Sequence, residues 1–235
     1  MKLEKVTKPG KGRVGRRRWY DDACGTALAM ELVGERWSLM IVRELMFGAR
    51  RFGEIRDALP GLSANVLTQR LEGLEESGII LRRKLPPPVN AQVYELTPWG
   101  YESETAIQEL GRWAVRSSEH DPTLPLSAAS LMISFRTMHD PALVGDWSGD
   151  IGFRLGADEF VIHIDRSGVA VRRADPREGQ VLLTGPTTLI AGIVYGDYPL
   201  AQAEASGDIR VEGARAVFER FATLFRLPAK VERPA

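Results

Sequence analysis

Apolar positions between Phe52 and Leu74 repeat at helical spacing in two short runs with a break between them. Phe52, Ile55 and Leu59 stand at i, i+3 and i+7, and Leu67, Leu71 and Leu74 at i, i+4 and i+7, so each run predicts a helix with one stripe to bury. Pro60-Gly61 supplies the break, and Ser63 occupies the position where a helix N-cap hydroxyl accepts from a backbone N–H. Ala64, Asn65, Thr68 and Gln69 then fall on the outward face. Ser77-Gly78 closes the second helix and the period becomes two: Ile79 to Leu85 predicts a strand, Pro86 to Ala91 a loop, and Gln92 to Leu96 a returning strand. Thr97-Pro98 opens another helix, with Ile107, Leu110, Trp113 and Ala114 as its stripe.

Past His120-Asp121-Pro122-Thr123-Leu124-Pro125, Leu126 to Met138 predicts a helix. Strand-like runs follow at Gly152–Leu155, Glu159–Ile164, Val169–Arg172 and Gln180–Leu183, joined by short turns that predict an antiparallel meander. Phe160, Ile162 and Ile164 alternate with Val161, His163 and Asp165, so one sheet face is built for burial. Thr187 to Tyr195 predicts an apolar helix, Asp208 to Glu212 a last strand, and Ala214 to Phe225 a helix carrying Val217, Phe218, Phe221, Leu224 and Phe225.

The polar face of the front helices suits duplex DNA. Asn and Gln pair bidentately with adenine, Thr bonds either way, and an Ala or Thr methyl packs on a thymine methyl, which makes Ser63, Ala64, Asn65, Thr68 and Gln69 candidate base readers. Glu72, Glu75 and Glu76 would repel phosphates, so the helix must enter a major groove by its N-terminal half. Directly after it, a hairpin bearing Arg82, Arg83 and Lys84 reads as a wing that meets phosphate, and Arg50, Arg51 and Arg70 complete the basic set. The competing readings are a plain helical hairpin with a solvated face and an edge strand protected by charge.

Charge sharpens this division. The 235 residues carry 31 Lys plus Arg and 31 Asp plus Glu, yet residues 1–118 hold 19 against 15 and residues 119–235 hold 12 against 16. The front half is therefore the nucleic-acid side. Residues 1–18 form a basic leader, read as a phosphate-binding arm or a solubilising tail; its Gly10-Lys11-Gly12-Arg13-Val14-Gly15 has no preceding strand to make it a dinucleotide site. No apolar run approaches the roughly 18 residues that span a bilayer, no apolar signal segment opens the chain, and one cysteine excludes an intrachain disulfide. The expectation is a cytoplasmic location with no membrane partner. His120, His139 and His163 stand far apart and Ser148 lacks a nucleophile elbow, so no catalytic residue, metal or cofactor is expected.

Cys24, Gly34-Glu35-Arg36-Trp37-Ser38-Leu39, Arg43-Glu44-Leu45, Gly48 to Ile55, Leu67 to Leu71, Gly78, Tyr94-Glu95-Leu96-Thr97 and Trp113 together resemble an HxlR-type winged helix-turn-helix transcriptional regulator. The resemblance implies a homodimer, packed through the first and last helices of the unit, that binds double-stranded DNA at two-fold related half-sites as repressor or activator. It also implies a redox switch at Cys24, where a helix N-terminus lowers a thiol pKa while Asp21 and Asp22 oppose it; a buried small apolar residue is the other reading.

The later half, from about Asp140 to Leu227, resembles a sterol-carrier-protein-like domain through its strand pattern, Pro186-Thr187-Thr188-Leu189, Gly196-Asp197 and the Ala205 to Gly213 segment. That implies a five-stranded, mainly antiparallel sheet with helices and a tunnel for a hydrophobic small molecule. Leu189, Ile193, Val194, Phe218, Phe221 and Phe225 are candidates to line it, with plain core as the alternative. The expected organisation is α+β: leader 1–18, winged helix-turn-helix unit 19–118, linker 119–127, sterol-carrier-like sensor 128–228 and tail 229–235. The expected function is a non-enzymatic DNA-binding regulator modulated by a hydrophobic effector. A lipid carrier that uses its front unit only to dimerise is the alternative.

Overall fold

The computed structural model describes residues 20–232, so the basic leader and the end of the tail lie outside the described residues. The front half runs α1 (Gly25–Val33), α2 (Ser38–Leu45), α3 (Phe52–Asp57), α4 (Ala64–Glu76), β1 (Ile80–Lys84), β2 (Gln92–Leu96), α5 (Pro98–Glu102) and α6 (Glu104–Ala114). Both apolar stripes turn inward: Ile55, Leu59, Leu67, Leu71 and Leu74 are buried with Ile41 and Leu45 of α2. Gly61, at φ 87°, reverses the chain between α3 and α4 in a conformation that a side chain would strain. Ser63 Oγ then accepts from the Val66 N–H at 3.3 Å and starts α4. β1 and β2 pair antiparallel, with Arg82 opposite Tyr94 and Lys84 opposite Gln92.

The helix expected from Thr97 arrives in two pieces. Thr97 Oγ1 accepts from Gly100 N–H at 3.0 Å and donates to the Gly78 carbonyl at 2.8 Å, which pins α5 against the base of the hairpin. Ser103 interrupts the run, its hydroxyl donating to the Gly100 carbonyl at 2.7 Å.

The later half contains α7 (Ala128–Met138), α8 (Pro141–Val144), β3 (Gly149–Leu155), β4 (Asp158–Asp165), β5 (Gly168–Arg172), a 3-10 turn at Pro176–Glu178, β6 (Val181–Thr184), α9 (Thr187–Tyr195), α10 (Leu200–Ala205), β7 (Arg210–Gly213) and α11 (Arg215–Ala222). Its five strands lie in the order β5-β4-β3-β6-β7. The expected meander holds for β3, β4 and β5 and fails at β6, which runs parallel to β3 with Ile151 opposite Val181. A parallel return needs a long crossover, and the β4–β5 hairpin with the 3-10 turn supplies it. That turn lies directly on β3, where a Cβ on Gly152 would fall 1.8 Å from the Pro176 carbonyl oxygen.

Helix α7 joins the halves. Ser127 Oγ caps it by accepting from Ser130 N–H at 3.1 Å, and the helix packs against α2 and α6 on one side and β5 and α9 on the other. Leu131, Met132 and Phe135 have no exposed surface, and the buried residues of both halves form one continuous cluster. The chain end returns to the front half: Lys230 Nζ donates to the Val115 and Ser117 carbonyls at 2.9 and 3.0 Å, and Val231 N–H to the Arg116 carbonyl at 2.8 Å.

Candidate nucleic-acid interface

Helix α4 shows a divided surface. Leu67, Leu71 and Leu74 anchor it inward, while Ser63, Ala64, Asn65, Thr68 and Gln69 are exposed on its first two turns. The Thr68 hydroxyl donates to the Ala64 carbonyl at 3.0 Å, so its proton is committed while its lone pairs and methyl face outward. The helix is held from behind by Arg70, whose guanidinium meets Glu35 at 3.0 Å and the Arg36 carbonyl at 3.0 Å. Arg70 was expected among the DNA contacts; the structure draws it back onto the α1–α2 turn.

On the hairpin, Arg82, Arg83 and Lys84 are all exposed. Arg82 meets Glu75 at 3.0 Å and Arg83 meets Glu95 at 2.7 Å. Exposed pairs of this kind contribute only about 0–1 kcal/mol, so a phosphate can take over either guanidinium at small cost. Arg51 is exposed at the start of α3, with its N–H held by the Glu54 carboxylate at 2.8 Å. Arg50 departs from the expectation entirely. It is only 7% exposed, and its guanidinium reaches Asp158 at 2.9 Å, so it faces the other half of the chain and not solvent. The sequence carried no signal for this pairing, because the partner lies 108 positions away.

A second surface is apolar. No residue of α1 is buried, and Leu28 and Met30 are exposed beside Tyr20. On α6, Ile107 turns inward, but Leu110 is 48% and Trp113 73% exposed, so much of the stripe expected there is left uncovered by the described residues. At the front of α1, Cys24 is exposed and its thiol pKa is lowered, chiefly by the backbone N–H groups of Thr26 and Ala27 and then by the Thr26 side chain. The N–H groups at the start of α1 thus favour the thiolate.

The residues expected around a tunnel divide likewise. Phe218, Phe221, Phe225 and Val194 are buried, whereas Leu189 and Ile193 on α9 are half-buried. Phe221 packs edge-on to Phe225 at 4.8 Å and to Phe135 at 5.1 Å. Beside them the Tyr195 phenol bonds Ser134 at 2.8 Å, and burial pushes its pKa up. Among the described residues, no group of three or more His, Cys, Asp or Glu side chains is placed to hold a metal ion, and no helix is long and apolar enough to cross a membrane.

A helix-turn-helix that presents amides and a hydroxyl, followed by a basic two-stranded wing, defines a DNA-binding transcriptional regulator of the winged-helix class. Residues 32–122 match the HxlR-like helix-turn-helix family. The chain is 35% identical over 96 residues to the HTH-type transcriptional regulator YodB of Bacillus subtilis, covering 41% of this chain and 86% of that protein. It is also 39% identical over 87 residues to the HTH-type transcriptional regulator YvaP of the same organism, covering 37% of this chain and 80% of that one. The chain belongs to the HxlR-like helix-turn-helix family. Among solved structures, the reduced form of YodB is similar at 34% identity and a TM-score of 0.38, with coverage of 43% of this chain and 100% of that one.

Proposed function

We propose that the protein is a homodimeric, sequence-specific transcriptional regulator that reads bases with Ser63, Ala64, Asn65, Thr68 and Gln69 and holds phosphates with Arg51, Arg82, Arg83 and Lys84. The observation that carries this reading is the solvent-facing amide surface on a helix whose leucines are buried. A carrier that used its front half only to dimerise would have no need of that surface. The dimer forms through α1 and α6, where Leu28, Met30, Leu110 and Trp113 are left exposed by the described residues. Two copies then address half-sites about 34–36 Å apart.

The proposed organisation keeps a winged unit at 19–118, a connector at 119–127, a sterol-carrier-like sensor at 128–228 and a tail at 229–235. The sensor takes a hydrophobic effector against α9, with Leu189 and Ile193 at its half-buried face and Val194, Phe218, Phe221 and Phe225 behind them. Cys24, exposed with a lowered thiol pKa, is the reactive group through which oxidants or electrophiles act on the dimer.

Selection from a randomised duplex library, followed by mobility shift at two salt concentrations, tests the regulator. Enrichment of a two-fold symmetric site with salt-dependent affinity is expected. No enrichment above bulk DNA would sink it. Mass spectrometry of small molecules that co-purify with the full chain tests the sensor, and absence of any apolar molecule removes it.

A further inference from the structure

The two halves meet through a run of charges that is buried at its centre, at Glu44 and Arg50, and partly buried at Asp158 and Arg173. Asp158, the first residue of β4, accepts two hydrogen bonds from Arg50 at 2.9 and 3.2 Å and another from Arg173. On the other side of Arg50 lies Glu44 of α2, 3.6 Å away and without exposed surface. The second oxygen of Glu44 takes the Ser127 hydroxyl at 2.6 Å and the Arg43 guanidinium at 2.9 Å. Arg173 lies over the Phe160 ring at 4.5 Å, and Phe160 meets Phe47 edge-on at 5.6 Å. Cations and carboxylates therefore alternate across the junction, with the Phe160 and Phe47 rings packed beside them.

The backbone of Arg50 has a different set of partners. Its N–H donates to the Tyr94 carbonyl at 2.9 Å, and it accepts from the Tyr94 N–H at 2.8 Å, which fixes the wing strand β2 beside it. The next residue, Arg51, starts α3. One residue thus has its side chain in the β4 sheet, its main chain on the wing, and its successor at the mouth of the helix-turn-helix.

We propose that Arg50 is a positioning residue through which Asp158 fixes the angle between the wing and helices α3 and α4. The proposal rests on the regulator reading and deepens it, for Arg50 itself touches no DNA. Arg50 Nη2 reaches both Asp158 oxygens while Nη1 lies 3.6 Å from Glu44, so the guanidinium is held from two sides, and its burial reduces the salt screening that weakens the more exposed Arg82–Glu75 and Arg83–Glu95 pairs. Displacing β4 by even a fraction of the bond length therefore turns Arg50, and with it the wing. Because coupling is reciprocal, DNA that selects one wing angle also selects one placement of β4.

The test uses Asp158→Asn and Asp158→Glu in the full chain, with two measurements. Amide exchange in the free protein follows Tyr94 and the β1–β2 hairpin against Leu67 to Leu74 of α4. Fluorescence anisotropy follows the duplex most enriched by the wild-type protein. Asp158→Asn is expected to speed hairpin exchange and weaken duplex binding, each by about fivefold or more, with α4 protection unchanged. Asp158→Glu, which keeps the charge, is expected to stay near wild type in both. Hairpin exchange at the wild-type rate in Asp158→Asn overturns the proposal, and so does equal loss of protection in hairpin and α4, which marks a merely structural contact. Should Asp158→Asn not fold, Arg50→Lys keeps a cation between the two carboxylates and carries the same expectations and refutations. Wild-type protein that enriches no duplex refutes the regulator reading instead, and the exchange measurement needs no DNA.

Discussion

Arg83→Ala and Gln69→Ala should fail in different ways, and the difference can be worked out from their surroundings. The Arg83 side chain is half exposed, at 50%, and pairs with Glu95 across the hairpin at 2.7 Å. Losing such a pair changes folding stability by less than about 1 kcal/mol, so the variant should melt almost as the wild type does. Its loss should appear in binding. One phosphate contact contributes about 0.9 to the slope of log K against log salt, so over a tenfold range of salt the deficit of Arg83→Ala should shrink about eightfold. Every duplex should be affected alike. Gln69 is exposed on α4 with no part in the core, and a bidentate amide–adenine contact is worth about 1–3 kcal/mol of discrimination at one base pair. Gln69→Ala should therefore erase preference at a single position and leave the salt slope intact. Anisotropy titrations with the selected duplex and its single-position variants, at several salt concentrations, separate the two. Uniform weakening with equal slopes for both variants would refute this division between wing and helix.

Three further outcomes follow from the same geometry. Trp113→Asp should shift the proposed dimer toward monomer in sedimentation, by the roughly 2 kcal/mol or more typical of a central tryptophan, with the circular dichroism spectrum kept; an unchanged dimer moves the interface elsewhere, and a monomeric wild type removes it. Alkylation of Cys24 by iodoacetamide should have its pH midpoint below that of free cysteine, because the α1 N–H groups favour the thiolate, and Thr26→Ala should raise it; a midpoint at or above free cysteine removes the reactive-thiol role. For His120, burial and then the Lys230 ammonium hold the pKa below its usual value, so the unfolded chain takes up a proton first. The stability this ring contributes is thus present above about pH 6.5 and falls as the pH drops toward the lower folded value, and exchange at residues 229–232 should quicken on acidification in the wild type and not in His120→Gln.

The front half was legible in the sequence because its elements are short, local and strongly patterned. The leucine stripe, the Ser63 cap and the Pro60-Gly61 break each depend on neighbours within a few positions, and all appear where they were expected. Arg50 was misread for the opposite reason. Its neighbour Arg51 is exposed and basic in the same local pattern, and only the return of Asp158 from far along the chain distinguishes them. The parallel pairing of β6 with β3 was hidden for a related cause: short turns predict adjacency of consecutive strands, whereas the crossover is enabled by Gly152 and Gly179, whose missing side chains admit the 3-10 turn. Leu110 and Trp113 have the right helical spacing, yet spacing identifies a face without saying which molecule covers it. The C-terminal aromatics pose the same question, since Phe221 pairs with four other phenylalanines in one cluster whether or not a ligand approaches from α9.

Helix α7 has practical consequences for anyone dividing this chain. It packs against α2 and α6 of the front part and against β5 and α9 of the rear, so a cut before it strips a wall from the front part, and a cut after it leaves the rear sheet without one. Either fragment would present a raw apolar strip to solvent and tend to aggregate, so failure of an isolated front fragment to bind a promoter would say nothing about the intact regulator. Swapping rear modules between relatives should succeed only when this helix travels with its new sheet and its opposite face is redesigned for the old helices.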